Sequence, residues 1–424
     1  MIGKQITKGG FLFNVLTLMT GTGLSQAIPI VFSPLLTRIY SPADFGRLAF
    51  FMASCAIVGI VATGRYELAI MLPKEDEESI NILVMIVLLS LGVSFIVLLV
   101  IILFGYPLLQ LLNYPVSFDF FLLLPIGVFF TGCFQGLNFW LNRKGEYNVI
   151  SRCRISQSLT TALLSVLIGY FDFIKYGLIV SFLIGLVVPV IPLVFIISKN
   201  IKAISKTHLI TAIKKYLNYP KYLMPTAFFD TTAMQAPVFF ITKYFTKVVA
   251  GSYSLAFRMV TAPLGVISGA MGQVYYQKIT SIVNSQNPKT YPTVIKTAKS
   301  LGLVSVVIFL PLFFFGENIF KIVFGINWTD AGKYVEILSV AMMLRFIVSP
   351  LSTIFIAVSS IRVGAAWQTL YLCTTIALFF VGRDLSIQQL LWAYVVHELV
   401  LYSIYFILMV YVSNKFDKKF LCVE

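Results

Sequence analysis

The segment INILVMIVLLSLGVSFIVLLVIILF, from Ile80 to Phe104, contains no charged residue. At a rise of about 1.5 Å per residue, a helix of this length crosses a hydrocarbon core about 30 Å thick. Apolar stretches of similar length recur along the chain, in which 58% of residues are hydrophobic and 12% are charged, against roughly 25% charged in soluble domains. The sequence therefore predicts an all-α protein that crosses a membrane many times.

Twelve apolar segments are separated by breaks of glycine, proline, asparagine and charged residues. They predict a six-helix bundle at 1–198, a cytoplasmic linker at 199–218, a second six-helix bundle at 219–413 and a cytoplasmic tail at 414–424. The predicted spans are 11–37, 43–70, 80–104, 118–141, 151–170, 176–198, 219–243, 249–278, 297–315, 333–359, 362–381 and 387–413.

An internal repeat would make the two bundles pseudo-symmetric. Moving the sequence along itself by about 205 positions places Gly46 on Gly251 and Gly64 on Gly269, with apolar and small residues between them in both copies. Two bundles of six spans each would have the same orientation, as in parallel repeats of transporters. A chance match between two glycine-containing helices would give the same two coincidences, so this alternative stays open.

The distribution of positive charge along the chain predicts its orientation in the membrane. Lys and Arg number 32 and Asp and Glu 17, a formal net charge of +15. Most of the basic residues fall in the regions that lie on the same side as the termini, and basic loops remain in the cytoplasm. Both termini are predicted to be cytoplasmic, and the basic start followed by apolar residues from Phe11 predicts an uncleaved first helix. No nucleic-acid-binding motif accompanies the charge.

The sequence gives catalysis little support. The cysteines, at 55, 133, 153, 373 and 422, have no C-x-x-C spacing, and His208 and His397 are too few and too far apart for a metal site. HExxH, GxSxG, Walker A and GxGxxG contexts are lacking. We therefore predict a protein that is not an enzyme and that needs no metal or cofactor.

A few ionisable residues fall within the predicted spans, where a charge is costly and usually faces a water-filled cavity or a substrate path. Arg65 and Glu67 lie near the cytoplasmic end of the second span. The others are Asp230 in span seven, Arg258 in span eight, Arg345 in span ten, and His397 with Glu398 in span twelve.

Two interpretations of these residues are open. Arg258 and Arg345 can bind a phosphate group in a cavity, because guanidinium groups match phosphate oxygens bidentately and stay charged. Alternatively, internal salt bridges, Arg65 with Glu67 and Arg345 with Glu398, fasten helices together. Asp230, His397 and Glu398 are candidates for ion coupling, although a histidine in a helix is more often simply hydrogen-bonded.

Several segments together resemble the polysaccharide-transporter branch of the multidrug, oligosaccharidyl-lipid and polysaccharide (MOP) exporter superfamily, and in particular its Wzx-type flippases. In this order along the chain, the segments are LTRIYSPADFG from Leu36, GRYELAIMLP from Gly64, YPKYLMP from Tyr219, AGSYSLAFR from Ala250, and FGINW from Phe324 with Ala331 and Gly332. The resemblance implies a MATE-like fold of two six-helix bundles around a cationic cavity that opens alternately to each side. It includes Arg65, Glu67 and Arg258, but it does not extend to Arg345, Asp230 or Glu398.

The resemblance also implies a function. The expected substrate is undecaprenyl pyrophosphate carrying an O-antigen or capsule repeat unit, moved outward across a bacterial inner membrane, with a polysaccharide polymerase and a chain-length regulator as candidate partners. A multidrug exporter of the same superfamily would require a carboxylate-rich cavity for cations. A membrane glycosyltransferase or polymerase would require a large extramembrane loop, and a lipid II flippase would have additional helices.

Overall fold

A computed structural model describes residues 11–112, 118–171, 174–285, 288–358 and 360–421, and these residues form helices and connecting turns without a β-strand. Residues 1–10 and Cys422, which belong to the predicted first bundle and tail, lie outside the described residues. The chain divides into two compact units, unit one from Met1 to Lys247 and unit two from Val248 to Glu424.

The described residues of unit one form ten α-helices. They are α1 Phe11–Ile39, α2 Pro42–Thr63, α3 Asp76–Leu112, α4 Phe118–Leu122, α5 Leu124–Arg143, α6 Tyr147–Phe171, α7 Gly177–Val187, α8 Ile191–Lys199, α9 Lys206–Lys215 and α10 Met224–Tyr244. The last of these, α10, packs against α2, where the rings of Phe50 and Phe239 are 5.0 Å apart. The division of the chain at 199–218 that the sequence suggests remains a prediction.

Seven α-helices follow in the described ranges beyond α10, beginning at the boundary between the units. They are α11 Lys247–Pro263, α12 Gly269–Asn284, α13 Thr290–Phe324, α14 Thr329–Val348, α15 Ile354–Ala357, α16 Ile361–Val381 and α17 Ile387–Leu421. Each of the twelve predicted spans overlaps helix in the structure. In the described residues, seven helical segments are long and apolar enough to cross a membrane. The prediction of a multi-pass helical membrane protein is confirmed, whereas twelve crossings remain a prediction.

The second predicted span is wrong at its cytoplasmic end. Helix α2 ends at Thr63, and a short 3-10 helix follows from Tyr66 to Met71. The reason lies in the backbone of Gly64 (φ 55°) and Arg65 (φ 61°), which are both left-handed and cannot continue an α-helix. Arg65 and Glu67 therefore lie in a turn after the helix.

The linker also differs from a simple loop, because it contains the helix α9 at Lys206–Lys215. In unit two, a π-helical turn at Leu264–Ser268 interrupts the eighth predicted span directly after Pro263, and a 3-10 turn at Ser349–Thr353 interrupts the tenth at Pro350. Proline has no N–H to continue the helical hydrogen bonds, so helices commonly kink at such positions.

Helices α13 and α14 approach each other closely at two glycines. A Cβ atom built on Gly332 would lie 2.6 Å from the Cα of Glu317 and 2.7 Å from the carbonyl oxygen of Gly316. One on Gly316 would lie 2.9 Å from the carbonyl oxygen of Gly332. Small residues allow helix backbones to meet in a membrane, where packing rather than hydrophobic burial drives association. This contact gives a physical reason for the Ala331-Gly332 motif.

We expect Gly332→Ala to destabilise unit two by about 2 kcal/mol, because the obstructing atoms are backbone and cannot move independently. The measurement is thermal unfolding of the purified protein. Gly302→Ala on α13 is the control, since its Cβ would meet only Ile347 Cδ1 at 3.7 Å and alanine favours a helix. Equal melting temperatures for the two variants would contradict the close approach.

Candidate functional site

The candidate residues fall into separate parts of the two units. Arg65 and Glu67 lie in the turn after α2, and Asp230 is exposed on α10, all in unit one. Unit two holds the remaining candidates, which are Arg258 on α11, Arg345 on α14, and His397 and Glu398 on α17. Arg258 is half-buried.

Arg65 and Glu67 form an internal salt bridge in the turn of unit one. Arg65 Nη1 lies 3.3 Å from Glu67 Oε1, and the glutamate side chain is fully buried while the arginine is partly exposed. The second carboxylate oxygen of Glu67 is buried and has no hydrogen-bond partner among the described residues. A buried carboxylate is costly without a partner, so Arg65 stabilises Glu67 in this position.

The same turn is hydrogen-bonded to the linker and to the end of α5. The hydroxyl of Tyr66 donates to the carbonyl of Ile213 at 3.3 Å, which joins the turn to the linker. From the end of α5, Arg143 donates to the carbonyls of Ile70 at 3.2 Å and Pro73 at 2.7 Å. The segment from Gly64 to Pro73, one of those that carry the family resemblance, thus has a clear structural role.

A buried polar cluster lies between α14, α16 and α17 in unit two. Arg345 Nη1 is 3.7 Å from Glu398 Oε2, and the hydroxyl of Tyr371 donates to Glu398 Oε1 at 2.5 Å. The guanidinium carbon of Arg345 lies 5.5 Å from the centre of the Tyr402 ring. The carboxylate of Glu398 is thus balanced by one positive charge and one hydroxyl donor. We call Arg345, Tyr371, Glu398 and Tyr402 the unit-two cluster.

His397 lies beside this cluster on the same helix. Its Nε2 is 2.9 Å from the hydroxyl of Thr374, and its ring lies 5.9 Å from Tyr371 and 6.3 Å from Tyr394 between centres. Its Nδ1 is buried and has no hydrogen-bond partner among the described residues. Among the described residues, the histidine is therefore hydrogen-bonded through one nitrogen only.

Two features of these sites were not predicted from the sequence. The first is Tyr371, which is uncharged and therefore is not among the ionisable residues identified within the predicted spans. Arg154 falls within the fifth predicted span, 151–170, but is not among the candidates; in the structure it lies on α6, is half-buried and donates to the hydroxyl of Thr22 at 2.6 Å. Among the described residues, no three His, Cys, Asp or Glu side chains group as metal ligands do.

A family model described as polysaccharide biosynthesis protein matches residues 35–333. The matched interval begins just before the motif at Leu36 and ends just after Gly332, so it includes every segment that carries the resemblance. No curated protein matches the chain.

Solved structures are similar over almost the whole chain at low sequence identity. An inward-facing multidrug resistance MATE family transporter of the MOP superfamily matches with a TM-score of 0.70 and 14% identity, over 94% of this chain and 96% of that one. The lipid II flippase MurJ, in an inward closed conformation, matches with a TM-score of 0.70 and 15% identity, over 97% of this chain and 91% of that one.

A third solved structure is a MOP superfamily transporter from Pyrococcus furiosus, for which reverse polarity of the binding pocket suggests a different function. Its TM-score is 0.62 at 13% identity, over 93% of this chain and 94% of that one. The three similarities agree in showing that this chain has the fold of MOP-superfamily transporters.

Proposed function

The chain belongs to the polysaccharide biosynthesis protein family, and on that basis we propose that it is a flippase for lipid-linked oligosaccharides. Its substrate in this proposal is undecaprenyl pyrophosphate carrying an O-antigen or capsule repeat unit. The flippase moves this lipid from the cytoplasmic to the periplasmic leaflet of a bacterial inner membrane by alternating access. The observation that carries the proposal is a polysaccharide biosynthesis family match on a MOP-transporter fold. No covalent bond changes in such a step, so the protein is not an enzyme.

We assign the recognition of the pyrophosphate to the arginines. Arg258 in unit two is the principal proposed contact, and Arg345 in the same unit is a further contact held by a buried carboxylate. Arg65 in unit one, held by the buried carboxylate of Glu67, is proposed as a separate phosphate contact. A guanidinium has five N–H donors, so an arginine that already pairs with a carboxylate can still donate to a phosphate oxygen. Glu67 and Glu398 thus hold two of the arginines in position within a low-dielectric environment.

Ion coupling is a second part of the proposal. Glu398, His397 and Asp230 are its candidate residues. Glu398 lies 3.7 Å from Arg345, so a coupling cation held by this carboxylate would offset its negative charge and leave the guanidinium available to an anionic head group. Cation binding and substrate binding would then be linked through one side chain.

The membrane potential supplies a driving force in the right direction. A negative head group that moves out of a negative cell interior gains about 2.3 kcal/mol per charge per 100 mV. This source of energy agrees with the lack of a Walker motif in the sequence. Export of a pyrophosphate lipid therefore does not require ATP in this mechanism.

The proposed function is tested in a strain that lacks the chain and re-expresses it. We expect the deletion to lose the surface polysaccharide and to accumulate the lipid-linked repeat unit on the cytoplasmic side, and we expect the wild-type chain to restore the polymer. A deletion strain with normal polymer would contradict the proposal.

Multidrug export is the second candidate, because the MATE transporter is as similar as the lipid II flippase, with TM-scores of 0.70. Drug sensitivity of the same deletion with intact polymer would favour it.

A further inference from the structure

The linker helix α9 presents three different faces. Leu209, Ala212 and Tyr216 pack into the hydrophobic core of unit one. His208, Thr211 and Lys215 line a cleft with the carboxylates of Glu75, Glu77 and Glu78. On the remaining side of the linker, Ile210 and Ile213 of α9 and Leu217 in the turn after it are 45%, 37% and 53% exposed. We call these three residues the linker stripe.

The linker is held firmly in this orientation. Asn81 donates to the carbonyl of Ala203 at 2.8 Å and accepts from the N–H of Ser205 at 3.0 Å, just before the helix begins. At its end, the hydroxyl of Tyr216 donates to Glu78 at 2.9 Å, and Lys215 pairs with the same carboxylate at 2.6 Å. This hydrogen bond raises the pKa of Lys215. The exposure of the linker stripe is therefore a fixed property of a docked helix.

The charge around the linker stripe is of one sign. The segment from Lys199 to Leu223 contains lysines at 199, 202, 206, 214, 215 and 221 and no carboxylate. The neighbouring acidic residues Glu75, Glu77 and Glu78 lie on the other side of the helix, where Glu78 neutralises Lys215. In the described part of the chain, Lys202, Lys214 and Lys221 are exposed and form no ion pair.

The position of the linker follows from the segments that it connects. The apolar segment Gly177–Lys199 ends where the linker begins, and the seventh predicted span starts at Tyr219. Both ends of the linker are thus bound to the cytoplasmic ends of predicted membrane-spanning helices. A helix tethered in this way lies at the level of the lipid head groups, where apolar side chains enter the leaflet and lysines meet anionic phosphates.

We propose that the linker stripe and its lysines form a binding surface for anionic phospholipids of the cytoplasmic leaflet. Charge complementarity selects lipid over a protein partner, because the cytoplasmic leaflet is negatively charged and three apolar residues are too few for a stable protein interface. Anionic lipid then holds the linker against unit one from the membrane side. The proposal is independent of what the protein transports.

The depth of each face is tested by spin labels on the full chain in bilayers of phosphatidylcholine and phosphatidylglycerol, after replacement of the five native cysteines. For Ile213→Cys and Leu217→Cys, we expect labels that collide with oxygen more than with a water-soluble nickel chelate. The matched control is Thr211→Cys on the opposite side of α9, which should show the reverse order. Labels at 213 and 217 that neither reagent reaches would indicate a protein partner or a second copy and would overturn the proposal, as would labels open to nickel.

The lipid preference is measured with spin-labelled phosphatidylglycerol and phosphatidylcholine at the protein surface. Lys202→Gln, Lys214→Gln and Lys221→Gln together should lower the preference for phosphatidylglycerol by about fivefold or more. The control removes the same charge elsewhere, with Lys278→Gln, Lys296→Gln and Lys299→Gln, and should have a smaller effect. An equal loss of phosphatidylglycerol preference in both variants would show that only the total surface charge of the protein matters, and it would overturn the proposal.

Discussion

Arg258→Ala is expected to lower flipping of the lipid-linked repeat unit on the order of 100-fold. Truncating one member of a buried charge pair costs about 2–5 kcal/mol, and each 1.4 kcal/mol is about tenfold. The half-buried position of Arg258 on α11 limits the water that could replace its side chain. Arg258→Lys should recover only part of the activity, since an ammonium cannot bind two phosphate oxygens as a planar guanidinium does.

The readout for these variants is surface polymer together with the amount of cytoplasmic lipid-linked precursor, at equal protein abundance. Arg383→Ala is the control, because Arg383 lies in unit two, is exposed and pairs with its neighbour Asp384 at 3.5 Å. We expect this variant to behave as wild type. Normal polymer with Arg258→Ala would remove Arg258 from the proposed phosphate site while leaving the family assignment in place.

The second large effect concerns stability and the unit-two cluster. Glu398→Ala should destabilise the protein by about 3–5 kcal/mol, because it leaves the buried charge of Arg345 without its carboxylate. The double variant Arg345→Met with Glu398→Gln should regain most of this loss, since no uncompensated charge remains. The measurement is thermal unfolding of the wild type, Glu398→Ala and the double variant.

The exposed pair of Arg383 and Asp384 supplies the comparison for these variants. Its members are 49% and 87% exposed, so breaking it with Asp384→Ala should cost less than about 1 kcal/mol. If Glu398→Ala lowered the stability no more than Asp384→Ala does, Glu398 would not be compensating a buried charge on Arg345. If the double variant were stable but failed to flip, the pair would serve transport rather than folding.

The sequence predicts the helical segments well because apolar length is a strong signal in a membrane protein. Segments such as Ile80–Phe104 are too long and too apolar for a helix of a soluble protein. Each predicted span overlaps a helix in the structure. The boundaries are less predictable. The end of α2 depends on left-handed backbone angles at Gly64 and Arg65, and a non-glycine residue in that conformation gives no sequence signal.

The candidate site is predictable only in part. Charges within apolar segments draw attention to Arg345 and Glu398, and the structure contains the salt bridge that was one of the two interpretations. The hydroxyl of Tyr371 completes the cluster from a separate helix, and a single tyrosine among 21 cannot be selected from the sequence. The docking of α9 depends on pairings such as Asn81 with Ser205, which are distant in sequence.

The central claim is that this chain moves a pyrophosphate-linked oligosaccharide across a bilayer. It is tested most directly with purified protein in sealed vesicles that contain the lipid-linked repeat unit in both leaflets, treated with a glycosidase that cannot cross the membrane. We predict that wild-type protein makes the inner-leaflet substrate accessible to the enzyme, and that vesicles with Arg258→Ala protect it. Wild-type vesicles that protect the inner-leaflet substrate as fully as protein-free vesicles, with the protein shown to be folded, would contradict the account.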